Sequence, residues 1–516
     1  MKKKIVCASA LLFAGTLVAQ TNTSDVLSQG NGNASVVTQT GTMNDSDVDQ
    51  IGDSNDSNVL QLGTSNESTV WEKGNDNFSD VFQNGTGNES NVEQGYRPWS
   101  ENSNENDSWV VQEGKDNYSN VMQRDQTYGA GQALNESHVS QIGDENESTI
   151  WQQGQENYSN LEQSGNFNDS FVYQAWSIFS NYNSSEVLQT GDLNYSQVHQ
   201  DGDENVSDVM QDGENNTSHV SQDGYINDAD IDQEGMRNFS ESNQEGDDND
   251  SDVDQFGNDN NSYVYQNGED NDSDVDQDGN ENISDVDQLG DDHDSDVDQE
   301  GGYNESVVYQ TGEDNNANLD QEGNDNYSNV FQDGENNDSD LDQDGDENQA
   351  DVDQYGVDND SDVDQDGDLN ESVVYQTGED NDADLDQDGD YNYSNLFQNG
   401  EDNDSDEDQD GDYNESWVSQ IGERNDSEVD QNGDGNYSAV SQFGNGNISD
   451  VDQMGDNNSS TVIQGMLGSP GILNVSTVMQ DGNSNMSSVE QYGNAHSSIV
   501  NQIGNANAST VIQNNL

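Results

Sequence analysis

The chain reads as all-β: a β-solenoid of stacked strand-turn-strand rungs, 22 residues per rung, two 11-residue units to a rung, with two sheets facing each other. Three observations predict this. A unit Asn-x-Ser-x-Val-x-Gln-x-Gly-x-x recurs every eleven residues, as in NDSDVDQFGND (Asn249–Asp259) and the copies NNSYVYQNGED, NDSDVDQDGNE and NISDVDQLGDD that follow it. Inside each copy the fixed residues alternate with variable ones, the period-two signature of a strand with one buried face. The variable residues themselves repeat every twenty-two positions, so one rung holds two units.

Composition taken without order suggests the opposite. The chain has 516 residues, 110 acidic and 9 basic, a formal charge of −101 and only 27% hydrophobic residues. Such a balance ordinarily leaves too little apolar surface to fold. A strict order changes this, because it gathers Asn, Ser, Val and Gln on one face and sends the aspartates to the other. The acidity excludes nucleic acid and anionic membranes as partners and favours cations.

The first residues, MKKKIVCASALLFAGTLVAQ, read as a secretion signal over 1–19. Lys2, Lys3 and Lys4 form the basic start, Ile5 to Val18 the apolar stretch, and cleavage is expected near Ala19. No later segment is a candidate membrane span. The single cysteine, Cys7, lies in this leader, so the mature chain is expected to have no disulfide.

Residues 20–516 are the repeat region. The frame runs without slippage from Asn183 to Asn458 and is interrupted near 95–105, 124–134, 175–182 and 465–473, where insertions are expected to loop out of the stack. In each unit the fixed residues face inward, for example Asn271, Ser273, Val275 and Gln277, then Asn282, Ser284, Val286 and Gln288 after the turn opened by Gly279. Glycine tolerates the backbone angles such a turn demands. Inward Asn and Gln are expected to form side-chain amide ladders between rungs, which removes the penalty of burying them. Two residues conflict with the pattern: Glu407 and Ser242 stand where Val belongs, and Glu407 predicts a local distortion or a protonated carboxyl.

The outward residues distinguish the two sheets. Steps of twenty-two from Asp254 meet Asp276, Asp298, Asp320, Asp342, Asp364, Asp386, Asp408, Asp430 and Asp452. The other half-rung presents Tyr265, Tyr309, Phe331, Tyr375 and Phe397 among fewer acids. One sheet is therefore a carpet of carboxylates. The other is partly aromatic and suited to lateral packing or adhesion. Roughly twenty-one rungs spaced by about 4.8 Å would make a rod of about 100 Å, whose uncapped strand edges favour end-to-end addition of further copies.

The unit Gln-x-Gly-x-x-Asn-x-Ser-x-Val-x-Gln, seen in full from Gln277 to Gln288, resembles the curlin repeat, and the likeness covers nearly the whole mature chain. The resemblance implies a secreted subunit that leaves through an outer-membrane pore and polymerises, with a nucleator, into extracellular amyloid fibres of biofilms. This chain departs from the family pattern in having far more rungs, in its acidity, and in lacking a non-repeat segment between the leader and the first repeats near Asn22 or Asn33.

No catalytic constellation is legible, and the chain is expected not to be an enzyme. His138, His199, His219, His293 and His496 have no nucleophile or ligand partner at a meaningful spacing. The exposed acids are too alike to act as an acid–base pair. Asp274-x-Asp276-x-Asp278-Gly279 imitates the start of a calcium-binding EF-hand loop. Its twelfth position is Asp285 rather than the closing Glu, and the equivalent positions after Asp362, Asp384 and Asp406 are Val373, Asn395 and Trp417. The imitation comes from alternation meeting a glycine turn.

A cation site between rungs is the alternative expectation. Equivalent aspartates about 4.8 Å apart suit calcium–oxygen distances of about 2.3–2.6 Å, so calcium or another cation would bridge two members of the Asp254–Asp452 column. Uncompensated neighbours repel by roughly 0.9 kcal/mol per pair in a water-like dielectric. No cofactor is required. The sequence thus predicts a secreted fibre subunit for biofilm matrix and adhesion; the alternative is a monomeric acidic solenoid that binds calcium or a mineral or ice surface.

Overall fold

Why an eleven-residue unit becomes a strand and a corner is visible in any one copy. In the computed structural model, which describes residues 21–95, 104–124, 133–174, 181–465 and 471–514, Asp272–Asn280 is a strand whose Ser273, Val275 and Gln277 are fully buried while Asp272, Asp274 and Asp278 are exposed. The leader at 1–19 and the middles of the four interruptions lie outside the described residues.

The chain forms two compact units, Met1–Asn258 and Asp259–Leu516. The first runs from strand Thr23–Gln29 to strand Asp250–Asn258, the second from Asn261–Glu269 to Ala508–Asn514. Within each unit successive strands alternate between two parallel sheets. Strands pair in register with the next strand of their own sheet, almost always the strand two further on: Asp272 with Asp294 and Val275 with Val297 on one sheet, Ser284 with Ser306 and Val286 with Val308 on the other. This is a two-sheet β-solenoid with 22 residues per rung. Among the described residues no helix is long and apolar enough to cross a membrane.

The core is a layer of Val with occasional Ile and Leu, flanked by amides. Each buried Val contributes roughly 1.5 kcal/mol of transfer free energy. The glutamines bind the layers together. Gln277 Nε2 donates to Gln299 Oε1 at 2.8 Å, Gln299 to Gln321 at 2.9 Å and Gln321 to Gln343 at 3.0 Å. The amide also reaches the facing sheet: Gln288 Nε2 donates to the Asp272 carbonyl at 2.7 Å, and Gln310 to Asp294 at 2.8 Å. One side chain thus ties rung to rung and sheet to sheet.

Asparagine forms the expected side-chain ladder in part of the stack and adds bonds to the backbone of neighbouring rungs. The Asn304 main-chain N–H donates to Asn282 Oδ1 at 3.1 Å, while Asn304 Nδ2 donates to the Gly323 carbonyl at 3.1 Å. The corner is a side-chain-to-backbone clamp. A direct amide ladder is added along Asn359, Asn381, Asn403, Asn425 and Asn447, with bonds of 2.8 Å for the first and 2.9 Å for the rest. The inward serines are mostly without a hydrogen-bond partner, Ser273 and Ser284 among them. Alanine replaces them at 229, 317, 350 and 383. That position selects small volume rather than a hydroxyl.

The corner glycine is required by the rung beside it as much as by its own turn. Gly279 has φ +146°, and a Cβ there would lie 1.6 Å from the Gly301 carbonyl oxygen. The left-handed residue of the corner comes two positions later and is seldom glycine: Glu281 at φ 60°, Glu347 at 60°, Tyr391 at 62°. Its N–H is held by the preceding rung, as Glu347 N–H donates to the Asn324 carbonyl at 2.9 Å. That repeated bond offsets the strain of a non-glycine residue there.

The interruptions change the sequence separation of paired residues but not the pairing. Asn106 and Asn135 bond to asparagines 29 positions earlier, Asn183 to one 26 earlier and Asn474 to one 27 earlier, where 22 is the rule elsewhere. The two conflicting residues are absorbed. Strand Asp404–Asp410 keeps its register, with Glu407 between Leu385 and Val429, so there is no backbone distortion. Glu407 is buried, and burial pushes its carboxyl above the usual range against the hydroxyls of Ser416 and Ser394. Ser242 pairs with Val220 and is equally buried.

Candidate functional site

Two long faces are the candidate sites. On the acidic sheet of the second unit, pairing sets Asp276, Asp298, Asp320, Asp342, Asp364, Asp386, Asp408, Asp430 and Asp452 side by side in sequence order, and Met479 ends the column. In the first unit Asp254 pairs with Asp232. The aspartates do not uniformly face water. Asp254, Asp276, Asp298, Asp320 and Asp452 are half-buried among the side chains flanking them, and the others are exposed.

This crowding sets their acidity. Burial, and then the like charge of Asp276, pushes Asp298 up to about 6. Burial with Asp298 does the same to Asp320, and burial with Asp342 and Asp386 to Asp364. Asp384, in the neighbouring column, reaches about 6 by burial and the charges of Asp406 and Asp362. In the first unit burial and Asp208 bring Asp230 to about 7. Among the described residues no group of three or more His, Cys, Asp or Glu is arranged as a metal-ligand set. The columns are pairwise rows, not cages.

The aromatic face is more continuous than the sequence suggested. Tyr309 and Phe331 stack at 5.1 Å and 7° between planes, and Tyr375 and Phe397 at 5.3 Å and 7°. Asp353 interrupts the column between them. Tyr355, two residues on and on the same face, fills the gap with rings 5.2 Å from Phe331 and 5.4 Å from Tyr375. Five half-buried rings therefore run unbroken. Tyr265 has Asp287 as its in-register neighbour. Tyr355 was missed because a column walk of twenty-two residues never visits it; the signal was an aromatic two positions after an acid.

The histidines join similar rows. His138 stacks on Trp109 at 4.5 Å and 5° and lies 2.8 Å from Glu136 Oε1; His199 meets Tyr173, and His219 sits between Tyr195 and Phe239. His293 replaces a corner asparagine and accepts the Asn315 N–H at Nδ1 at 3.3 Å; burial lowers its basicity. Each completes a row or a clamp.

One further residue was missed. Glu72 occupies a glutamine position of the ladder and is fully buried. Burial pushes its carboxyl up to about 8, against the hydrogen bond from Gln50 and the nearby Ser79 hydroxyl and with a smaller push from Asp56. Walking the glutamine column would have found it.

Comparison with known proteins agrees with this geometry. The curlin associated repeat matches nine times, at 194–224, 227–257, 246–279, 268–301, 296–323, 323–356, 357–389, 378–411 and 422–455, which together span about half of the chain. No curated protein matches the chain. With the repeat, its glycine corner and its glutamine ladder all in place, the chain belongs to the curlin-repeat family.

Proposed function

We propose that this protein is an extracellular structural subunit that self-assembles into curli-like fibres serving as biofilm matrix and in adhesion. The observation that carries the reading is the directional ladder. Along Gln277, Gln299, Gln321 and Gln343 each glutamine presents Nε2 to the following rung and Oε1 to the preceding one, at 2.8–3.0 Å. A rung of another copy, with the same residues at the same spacing, meets the same donors and acceptors, and backbone pairing adds to them. The basic leader supports export, and family membership supports a structural rather than a catalytic role. The test is electron microscopy and thioflavin fluorescence of the purified mature chain over a concentration series. Concentration-dependent, seedable fibres with strands across the fibre axis support the proposal; a chain that stays monomeric at every concentration and with seeds refutes it.

The in-register carboxylates favour a second role within the same assembly. Their mutual repulsion would be relieved by a divalent cation shared between neighbouring rungs, with Asp298 and Asp320 as one such pair. Calorimetric titration with calcium should show saturable binding that weakens in Asp298→Asn/Asp320→Asn; heat indistinguishable from that of the variant rejects the role.

A further inference from the structure

A small groove in the second unit lies at the corner end of the aromatic sheet's outer face, beyond the five-ring row. It is lined by Tyr391, Tyr393, Tyr413, Asn414, Glu415 and Trp417. Pairing of strands Tyr393–Glu401 and Glu415–Glu423 places Tyr393 beside Glu415 and Asn395 beside Trp417. Tyr391 and Tyr413 are the left-handed corner residues of two successive rungs, at φ 62° and 61°. Their rings stack at 4.8 Å and 8° while remaining 47% and 61% exposed. Tyr393 and Trp417 form the adjoining wall, 5.1 Å apart and tilted by 41°. The following rung places Tyr437 beside Glu415, but only Ala439 beside Trp417 and Gly435 at the corner position after Tyr413, so small residues flank the Trp417 and Tyr413 rings on that side.

The carboxylate in the groove is held in place. Trp417 Nε1 donates to Glu415 Oε1 at 2.7 Å, which leaves Oε2 as an acceptor of a residue that lines the groove. Aromatic faces beside a fixed carboxylate attract a planar cation. The first unit shows the same combination already filled. Arg124 lies over the Trp151 ring at 4.9 Å and within 3.5 Å of Glu93. In the second unit Arg424 is the one Lys or Arg in the sequence from 259 to 516, and it is engaged elsewhere, with its Nε 3.1 Å from Asp402.

We propose that the Tyr391–Tyr413–Trp417 groove, with Glu415 as its anion, is a binding site for an alkylguanidinium group, the end group of an arginine side chain on a partner. The rings take the planar face, Glu415 Oε2 takes an N–H, and the acidic surface concentrates cations around the groove.

The test is calorimetric titration of the full mature chain with butylguanidinium in moderate salt, which suppresses diffuse attraction to the acidic surface. Butylurea, the neutral planar analogue, is the control. The expected result is saturable binding of butylguanidinium, about tenfold weaker in Tyr413→Ala and in Glu415→Gln, with no binding of butylurea. Tyr413 is exposed, so its variant should retain the strand signal in circular dichroism; Trp417→Phe provides a second, milder change to the same wall. Undiminished affinity in all three variants would mean diffuse charge attraction, and equal binding of butylurea would mean an apolar slot. Either result, or no saturable binding at all, overturns the proposal.

Discussion

Gln50 Nε2 donates to Glu72 Oε2 at 2.9 Å inside a fully buried ladder in which the partner is elsewhere glutamine. Glutamine passes the ladder on with an N–H donor, whereas an ionised carboxylate has none. Glu72 Oε1 and, one rung on, Gln94 Oε1 both lack a hydrogen-bond partner. A neutral Glu72 carries the hydrogen the ladder needs at this step, in keeping with a carboxyl pushed up to about 8. The folded-state pKa is raised, so the contribution to stability is full below the unfolded value of about 4.3 and is lost as pH rises through about 8. Glu72→Gln should therefore stabilise the strands around Glu67–Lys73 by about 1–3 kcal/mol at pH 8 and by much less at pH 4. Hydrogen exchange of those strands at the two pH values is the measurement.

Glu407 offers the same test in the apolar layer. It lies between Leu385 and Val429, and burial raises its pKa, so it contributes most below the ordinary carboxylate range and loses that contribution as pH climbs. Glu407→Val should raise the local opening free energy by about 1–4 kcal/mol near neutral pH, and the gain should shrink in acid. Limited proteolysis over 400–430 as a function of pH would show it.

The acidic columns impose a pH dependence on the second unit as a whole. Asp298, Asp320, Asp364 and Asp384 titrate near 6 in the folded state. Each stabilises fully below its unfolded value of about 3.9 and ceases to do so as pH rises through its folded pKa. Thermal stability should be highest near pH 4 and fall toward pH 7, with added salt recovering part of the loss at pH 7 through screening. Asp298→Asn/Asp320→Asn/Asp364→Asn should flatten the profile of melting temperature against pH.

The corner glycines should not tolerate even a methyl group. At Gly301, φ +119°, a Cβ would lie 1.9 Å from the Gly323 carbonyl oxygen. Gly301→Ala should cost about 1–3 kcal/mol in backbone strain alone, before the clash with the neighbouring rung is counted. Ser295→Ala in the same strand should be nearly neutral, since its hydroxyl has no hydrogen-bond partner. Denaturant melts of the two variants side by side would separate a steric requirement from a merely repeated residue.

Much of this architecture could be read from the chain. The alternation of Ser273, Val275 and Gln277 with Asp272, Asp274 and Asp276 identified the strand and its buried face, because a pleated strand has a period of two. The twenty-two-residue recurrence of Asp276 and Asp298 identified the rung, because only equivalent positions of one sheet share a column. The site was less legible. Tyr355 fills the gap at Asp353 from a diagonal position, and Tyr391 and Tyr413 meet at a corner where residue type varies freely from Glu281 to Leu369.

The sequence alone determined the strands, the two-unit rung, the inward and outward faces and the order of the carboxylate column, all of which follow from periodicity along one chain. The tertiary structure decided what periodicity cannot encode. It set that Gln288 Nε2 crosses to the Asp272 carbonyl, how closely Gly279 approaches Gly301, how the Tyr391 and Tyr413 rings share a corner, and how far crowding raises Asp298. These depend on distances between rungs and between sheets, and such distances exist only after the layers have packed.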